Sequence, residues 1–199
     1  MALKYAVNNS LSAITSLPSS ISGGALNLIS TQTASASATI DFTSGIDSTY
    51  DSYVFKFYDI HPATDGTQFR FQVSTDGGSN YGVTLTSTYF IAYHDESDTE
   101  TSLTYITGSD QAQTTNFKVL GSADSDSDSG IAGSLTLFNP SSTTFVKHFI
   151  ARSINNPSAY AQDEYVAGYF NTTSAINAVR FQMSSGNIDD GIIKMYGVS

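Results

Sequence analysis

The sequence predicts an all-β protein, an antiparallel β-sandwich of jelly-roll type preceded by an N-terminal arm. Three observations carry this prediction. After residue 24, apolar and polar residues alternate in many short segments, turn-forming pairs such as Asp-Gly, Gly-Gly and Asn-Pro separate those segments, and no long amphipathic helix lies between them. Alternation places the apolar side chains on one face of a strand. Short strands separated by turns are typical of sandwiches and jelly rolls.

The first 24 residues differ from the rest of the chain, because small and hydroxyl residues dominate them. Their apolar residues recur at helical spacing, whereas an Asn pair and Pro18 disfavour a long helix. We therefore expect residues 1–24 to form an arm or short helix with a linker, and residues 25–199 to form the sandwich domain. A loosely held terminus is the alternative. The side chains expected to contact a neighbouring subunit are Leu3, Tyr5, Val7, Leu11, Ile14 and Leu17.

The strand predictions follow the alternation along the chain. The clearest segment is TQFRFQVST, in which Phe69, Phe71 and Val73 alternate with polar residues. Such a strand has one core face and one solvent face. About ten or eleven short strands are predicted in all, in the segments 25–33, 37–44, 52–60, 67–75, 83–93, 102–107, 134–140, 145–153, 165–173, 177–185 and 191–199.

The composition excludes several classes of protein. The 199 residues contain no cysteine, so disulfides, thiolate metal sites and cysteine nucleophiles are absent. The 18 acidic residues outnumber 8 scattered basic residues, which argues against nucleic acid as a partner. No apolar run is long enough to span a bilayer, and we expect no secretory signal. The 31 Ser and 23 Thr residues suit outward strand faces and turns.

The segment Ser74–Tyr81, STDGGSNY, resembles the Asp-box hairpin of sialidase-like propellers. Its chemistry is that of a turn, because Asp76 can accept backbone N–H groups and the two glycines allow positive φ. The motif occurs once and has Tyr81 where the pattern has Trp. We therefore interpret it as a structural hairpin.

Two acidic loops are candidate cation sites. Asp124, Asp126 and Asp128 alternate with serines and could present carboxylates to Ca²⁺. The positions at which an EF-hand loop requires Gly and Glu hold Ser129 and Leu135 instead, so a solvated acidic loop is the preferred interpretation. The run 95–100, DESDTE, is interpreted in the same way.

No catalytic signature marks the chain, and we expect no enzyme activity and no cofactor. The three histidines, His61, His94 and His148, lack zinc-binding spacing, and no G-x-S-x-G elbow surrounds a serine. His61 is expected in a turn, and His148 in a subunit contact. Most tyrosines are expected in core and rim packing, although tyrosine also suits interfaces and stacks on sugars.

Most of the chain resembles a group of uncharacterised virion proteins of tailed bacteriophages, common among marine and cyanobacterial phages. The segments that carry the resemblance are the opening MALKYAVNNSLSAIT and the ranges 40–81, 137–151 and 165–197. The shared motifs are strand and turn patterns. The resemblance therefore implies a virion context and no active-site residues.

These observations together predict a non-enzymatic virion protein on the surface of the phage particle. The first hypothesis is a capsid decoration (cement) protein that is anchored to the shell and contacts other capsid or tail subunits. We expect a homo-oligomer, with a trimer favoured because it suits capsid threefold positions. The second hypothesis is a tail-fibre or receptor-binding module that recognises host glycans. A glycan-degrading hydrolase is the third.

Overall fold

The computed structural model describes residues 26–199. Within that range two antiparallel sheets face each other, which confirms the predicted all-β sandwich. Their strands are β1 (Asn27–Ser37), β2 (Ile40–Phe42), β3 (Ser52–Pro62), β4 (Thr67–Ser74), β5 (Leu85–Asp95), β6 (Thr101–Tyr105), β7 (Gln111–Thr114), β8 (Lys118–Ala123), β9 (Ile131–Phe138), β10 (Lys147–Asn155), β11 (Tyr160–Phe170), β12 (Ala178–Met183) and β13 (Ile188–Val198). A 3₁₀ turn, Pro157–Ala159, joins β10 to β11.

The predicted N-terminal arm lies outside the described residues. This applies to the whole range 1–24 and to each side chain expected at a subunit contact, namely Leu3, Tyr5, Val7, Leu11, Ile14 and Leu17.

The chain passes back and forth between the two sheets. The small sheet has the strand order β2-β12-β4-β8, and the large sheet has the order β1-β13-β3-β9-β10-β11-β5-β6, with β7 also paired to β5. Each strand of the small sheet is therefore preceded and followed along the chain by a strand of the large sheet, as in a jelly roll. The meander β9-β10-β11 lies at the centre of the large sheet and links β3 to β5.

Every predicted strand segment contains a strand, and two strands were not predicted. In β8, five of the six residues are buried, including Lys118. The sequence of this segment therefore shows no alternation, and a lysine in it would be expected at the surface. In β7, the sequence is QAQT and the side chains are polar or small. Both strands are held by pairing with distant strands, β4 for β8 and β5 for β7, and local sequence carries no signal for that pairing.

A cluster of phenylalanines joins the two sheets. Phe181 of β12 is fully buried. Its ring lies 5.5 Å from the rings of Phe55 and Phe57 in β3, and it stacks on Phe69 of β4 at 5.6 Å. Edge-to-face and offset stacked rings add to the free energy of area burial. The cluster continues through Phe71 to β10 and β11.

We expect Phe181→Ala to lower the free energy of unfolding by about 3–5 kcal/mol, because it removes the ring at the centre of the cluster and leaves a cavity. The matched control is Phe145→Ala, since Phe145 is 69% exposed. That variant should change the free energy by less than about 0.5 kcal/mol. Urea denaturation followed by circular dichroism measures both values. Similar losses in the two variants would contradict the central role of Phe181.

Candidate functional site

The outer face of the large sheet carries exposed apolar side chains. In β10, every second residue points into the core, and the residues between them point outwards. Of these outward residues, Ile150 and Ile154 are each 54% exposed. In the described part of the chain, every large hydrophobic residue that is exposed within a strand belongs to this sheet. We call the central group the apolar face; its members are Phe90, Leu103, Tyr105, Phe138, Ile150 and Ile154.

The strand register makes the apolar face continuous across several strands. Phe90 of β5 lies opposite Tyr105 of β6 on one side and Tyr165 of β11 on the other. The rings of Phe90 and Tyr165 stack with centroids 4.7 Å apart. On the other side of β11, Arg152 of β10 lies opposite Tyr165. Its guanidinium is 5.0 Å from the Tyr165 ring centroid. Aromatic and arginine side chains grouped in this way are typical of the energetic centres of protein interfaces.

Arg152 is fixed in place by a carboxylate of the next strand. Its Nε and Nη2 donate to the two carboxylate oxygens of Asp163 at 2.9 and 2.6 Å. This bidentate pairing raises the pKa of Arg152 and lowers the pKa of Asp163. The guanidinium therefore stays charged and is held beside the Tyr165 ring.

Two lysines face each other on the same outer surface. Lys56 of β3 is directly opposite Lys194 of β13. Lys56 Nζ lies 5.8 Å from the Tyr196 ring centroid, and Lys194 Nζ lies 5.4 Å from that of Tyr58. Within residues 26–199, neither lysine forms an ion pair. Like charges directly opposite each other destabilise a sheet, so a carboxylate placed near this pair would relieve the repulsion.

The outer face of the small sheet is polar instead. Its residues include Asp41, Arg70, Arg180 and Gln182. Arg180 donates to both oxygens of Asp41 at 2.7 and 2.6 Å, and its guanidinium lies 4.1 Å from the Tyr81 ring centroid. The two outer faces of the sandwich thus differ in chemistry.

The Asp-box-like segment forms a turn but not a hairpin. It leads from β4 in the small sheet to β5 in the large sheet, so the predicted hairpin is wrong. Asp76 accepts the hydroxyl of Ser74 at 2.6 Å and the backbone N–H of Asn80 at 2.9 Å. These bonds lower the pKa of Asp76 to about 2. Gly78 has φ +90° where the turn reverses, so the segment has a structural role.

The three aspartates of the first acidic loop do not converge. The Asp124 carboxylate accepts the backbone N–H of Gly66 at 2.9 Å. Asp126 contributes its backbone oxygen to His61 Nε2 at 3.0 Å, and the Asp128 backbone oxygen accepts a hydrogen bond from Asn156. Within the described range, no three His, Asp or Glu side chains form a group that could hold a metal ion.

The second acidic loop is held by its first carboxylate. Asp95 Oδ1 accepts the backbone N–H groups of Thr99 and Glu100 at 2.9 and 2.7 Å, and Oδ2 accepts the hydroxyls of Ser97 and Thr99. The hydroxyl and backbone donors hold the pKa of Asp95 well below its usual range. Asp95 therefore closes the turn between β5 and β6.

The histidines contact carboxylates, backbone or a ring. His61 lies inside β3, so its predicted turn position is wrong, and its Nδ1 is 3.9 Å from Asp189 Oδ2. His94 Nε2 lies 3.1 Å from Asp98. His148 is exposed at the start of β10, where its ring centroid is 6.3 Å from that of Tyr169. None of these contacts joins an imidazole to a hydroxyl nucleophile.

A cleft of about 820 Å³ lies beside His61. The pairing of β3 and β13 is irregular beside this cleft, and Asp59 has φ +49° there. Tyr58, Asp128 and Asp189 also line the cleft. One of the three aspartates of the first acidic loop therefore lines a concave surface beside a tyrosine and a histidine.

A buried polar network lies between the sheets at β8, and the sequence did not reveal it. Lys118 and Glu164 are both fully buried. Lys118 Nζ lies 4.5 Å from the Tyr89 ring centroid, and the Tyr89 hydroxyl donates to Glu164. Burial raises the pKa of Glu164 and lowers the pKa of Lys118 to about 8, against the opposing effect of the Glu164 charge. Asn155 Nδ2 also donates to Glu164, at 3.0 Å.

Comparisons with protein-family models, with curated proteins and with solved structures found no match to this chain. In residues 26–199, no helix has the length and apolar character needed to cross a membrane.

We expect the titration of Lys118 to contribute a rise of roughly 1–2 kcal/mol to the free energy of unfolding between about pH 7.5 and pH 9.5. Over this range the unfolded chain keeps a proton on Lys118, whereas the folded protein, with a Lys118 pKa of about 8, loses it. The unfolded state therefore binds more protons, and stability rises with pH. Lys118→Met should lose this contribution, and Lys194→Met should keep it. Chemical denaturation across the pH range measures both, and identical pH profiles for wild type and Lys118→Met would contradict the prediction.

We expect Ca²⁺ to leave the melting temperature unchanged within about 1 °C at about 5 mM, because the carboxylates of Asp124, Asp126 and Asp128 do not form a ligand group. Differential scanning fluorimetry with added CaCl₂ or EGTA tests this. A rise in melting temperature that Asp126→Asn removes would show that the loop binds the ion.

Proposed function

We propose that this chain is a non-enzymatic structural protein of a tailed-phage virion, a capsid decoration protein that is anchored to the shell through the outer face of its large sheet. One observation carries the proposal. The exposed apolar residues of the strands lie on that face, while the opposite face of the sandwich presents amides and charged groups. Apolar side chains exposed together on one face mark an interaction surface.

The composition of the face supports a protein partner. The stacked pair Phe90 and Tyr165 and the guanidinium of Arg152 form a rigid group that loses little conformational freedom on binding. Ile150 and Ile154 add exposed aliphatic surface beside it. Because these residues belong to strands of one continuous sheet, the surface is formed before the partner arrives.

The charge of the face favours an acidic partner. Lys56 and Lys194 oppose each other without a carboxylate in ion-pair contact among the described residues. Carboxylates of a shell subunit placed against this pair would relieve the repulsion and set the orientation of docking.

The sequence and the fold support the same context. The ranges 40–81, 137–151 and 165–197 resemble virion proteins of tailed phages, and they contribute strands to both sheets. A homo-oligomer, with a trimer favoured, suits the threefold positions of a shell. Residues 1–24 supply a second attachment element in this proposal. No nucleic acid and no membrane take part.

A receptor-binding module of the tail is the second candidate, and the cleft of about 820 Å³ beside His61 favours it. Tyr58 on its wall could stack on a sugar, and Asp128 and Asp189 could accept sugar hydroxyls. Specific binding on a host-glycan array that Tyr58→Ala abolishes would favour this function over decoration.

The location of the protein in the virion separates the two candidates. A density map of particles that carry this chain should place its copies on the head, with the large sheet towards the shell. Purified protein should also bind tail-less heads that lack it. Copies found at the tail alone would overturn the decoration function.

We expect Ile150→Asp to weaken binding to such heads by about tenfold or more, because it puts a charge into the apolar face. The matched control is Phe145→Asp, since Phe145 is also apolar and exposed but lies in the loop between β9 and β10. Co-sedimentation with the heads measures both variants. Equal loss of binding, or no loss in either variant, would show that the apolar face does not contact the shell.

A further inference from the structure

A polar cleft of about 580 Å³ lies on the outer side of the small sheet. Its floor is formed by Gln68 and Arg70 of β4 and Gln182 of β12, and its wall by the segment 108–117, which contains β7. We call it the Arg70 cleft. Its floor lies on the opposite sheet from the apolar face, and its wall meets that face only through the hydrogen bond from the Tyr105 hydroxyl to Asp110 among the described residues.

The register of the small sheet places the floor residues together. Gln68 and Arg70 are two residues apart in one strand and point to the same side, and Gln182 lies directly opposite Arg70. The floor therefore offers a guanidinium flanked by two side-chain amides.

The wall of the cleft is held by a buried amide. Gln72 is fully buried, and its Nε2 donates to the backbone oxygens of Thr115 and Asn116 at 3.1 and 3.2 Å. These bonds fix the wall against β4. The cleft is thus a built feature of the fold, with its polar groups oriented in advance.

Arg70 differs from the other two arginines of the described range. Arg152 and Arg180 each form a bidentate pair with an aspartate. Arg70 has no ion pair among residues 26–199; its Nη2 donates to Gln68, and its buried Nε has no hydrogen-bond partner there. A guanidinium that keeps unpaired donors and has no ion-pair partner is suited to pair with a carboxylate.

The wall supplies an acceptor that also lacks a partner. Gln111 Nε2 donates to the Phe117 backbone oxygen at 3.0 Å, and this bond fixes the orientation of the amide. Gln111 Oε1 is buried and accepts no hydrogen bond from the described residues. The Arg70 cleft therefore combines one unpaired charged donor with one unpaired neutral acceptor.

We infer that the Arg70 cleft binds a saccharide unit that carries a carboxylate, such as a uronic acid. The carboxylate would pair with Arg70, and a sugar hydroxyl would donate to Gln111 Oε1. The amides of Gln68, Asn116 and Gln182 on the cleft surface suit further hydroxyls, because an amide both donates and accepts. Asp110 in the same lining and the net charge of -10 oppose a polyphosphate chain, with its many charges, more strongly than a single carboxylate.

Isothermal titration of the full chain with glucuronate and with glucose tests this inference, since the two sugars differ in the carboxylate. We expect glucuronate to bind about tenfold or more tightly than glucose, with an affinity that falls as salt rises. Arg70→Gln should remove the preference. The matched control Lys194→Gln makes the same charge change on the other sheet and should keep it. Circular dichroism checks that each variant is folded.

A second variant separates the saccharide from a simple anion. Gln111→Leu should weaken glucuronate binding and leave the weaker binding of acetate unchanged, because acetate has no hydroxyl to donate. Glucuronate binding no tighter than glucose binding in the folded wild type would overturn the inference. Tighter binding of a tripeptide with a free C-terminal carboxylate than of glucuronate would also overturn it, in favour of a peptide ligand.

Discussion

The packing of phenylalanine rings between the two sheets is the interaction on which the rest of the structure depends. Phe181 contacts Phe55 and Phe57 across the sandwich and Phe69 beside it. With no disulfide in the chain, this packing must hold the sheets together. It also fixes which side of each strand faces outwards, because adjacent side chains in a strand point to opposite faces.

The two outer faces that result have different chemistry. The large sheet presents aliphatic and aromatic side chains with an opposed lysine pair, which suits contact with another protein. The small sheet presents amides and arginines, and Gln72 anchors the segment that encloses the Arg70 cleft. One face can therefore attach the protein while the other stays open to a small polar ligand.

The sequence predicted the strands well where one face is buried and the other is wet. It did not predict β8, because burial on both faces removes the alternation. It also suggested a hairpin at Asp76, whereas the turn connects two different sheets. The turn-forming residues could be recognised from the local sequence, but the sheet that the next strand joins depends on long-range pairing.

The sequence by itself determined the all-β class, the outward and inward residues of most strands, and the absence of thiol chemistry. Only the tertiary structure decided which charges are paired. Arg180 pairs with Asp41, whereas Arg70 pairs with no aspartate of residues 26–199, although both lie in strands with similar alternation. The reason is physical: alternation is a property of neighbours in the chain, whereas a charge meets its partner across strands that are far apart in sequence.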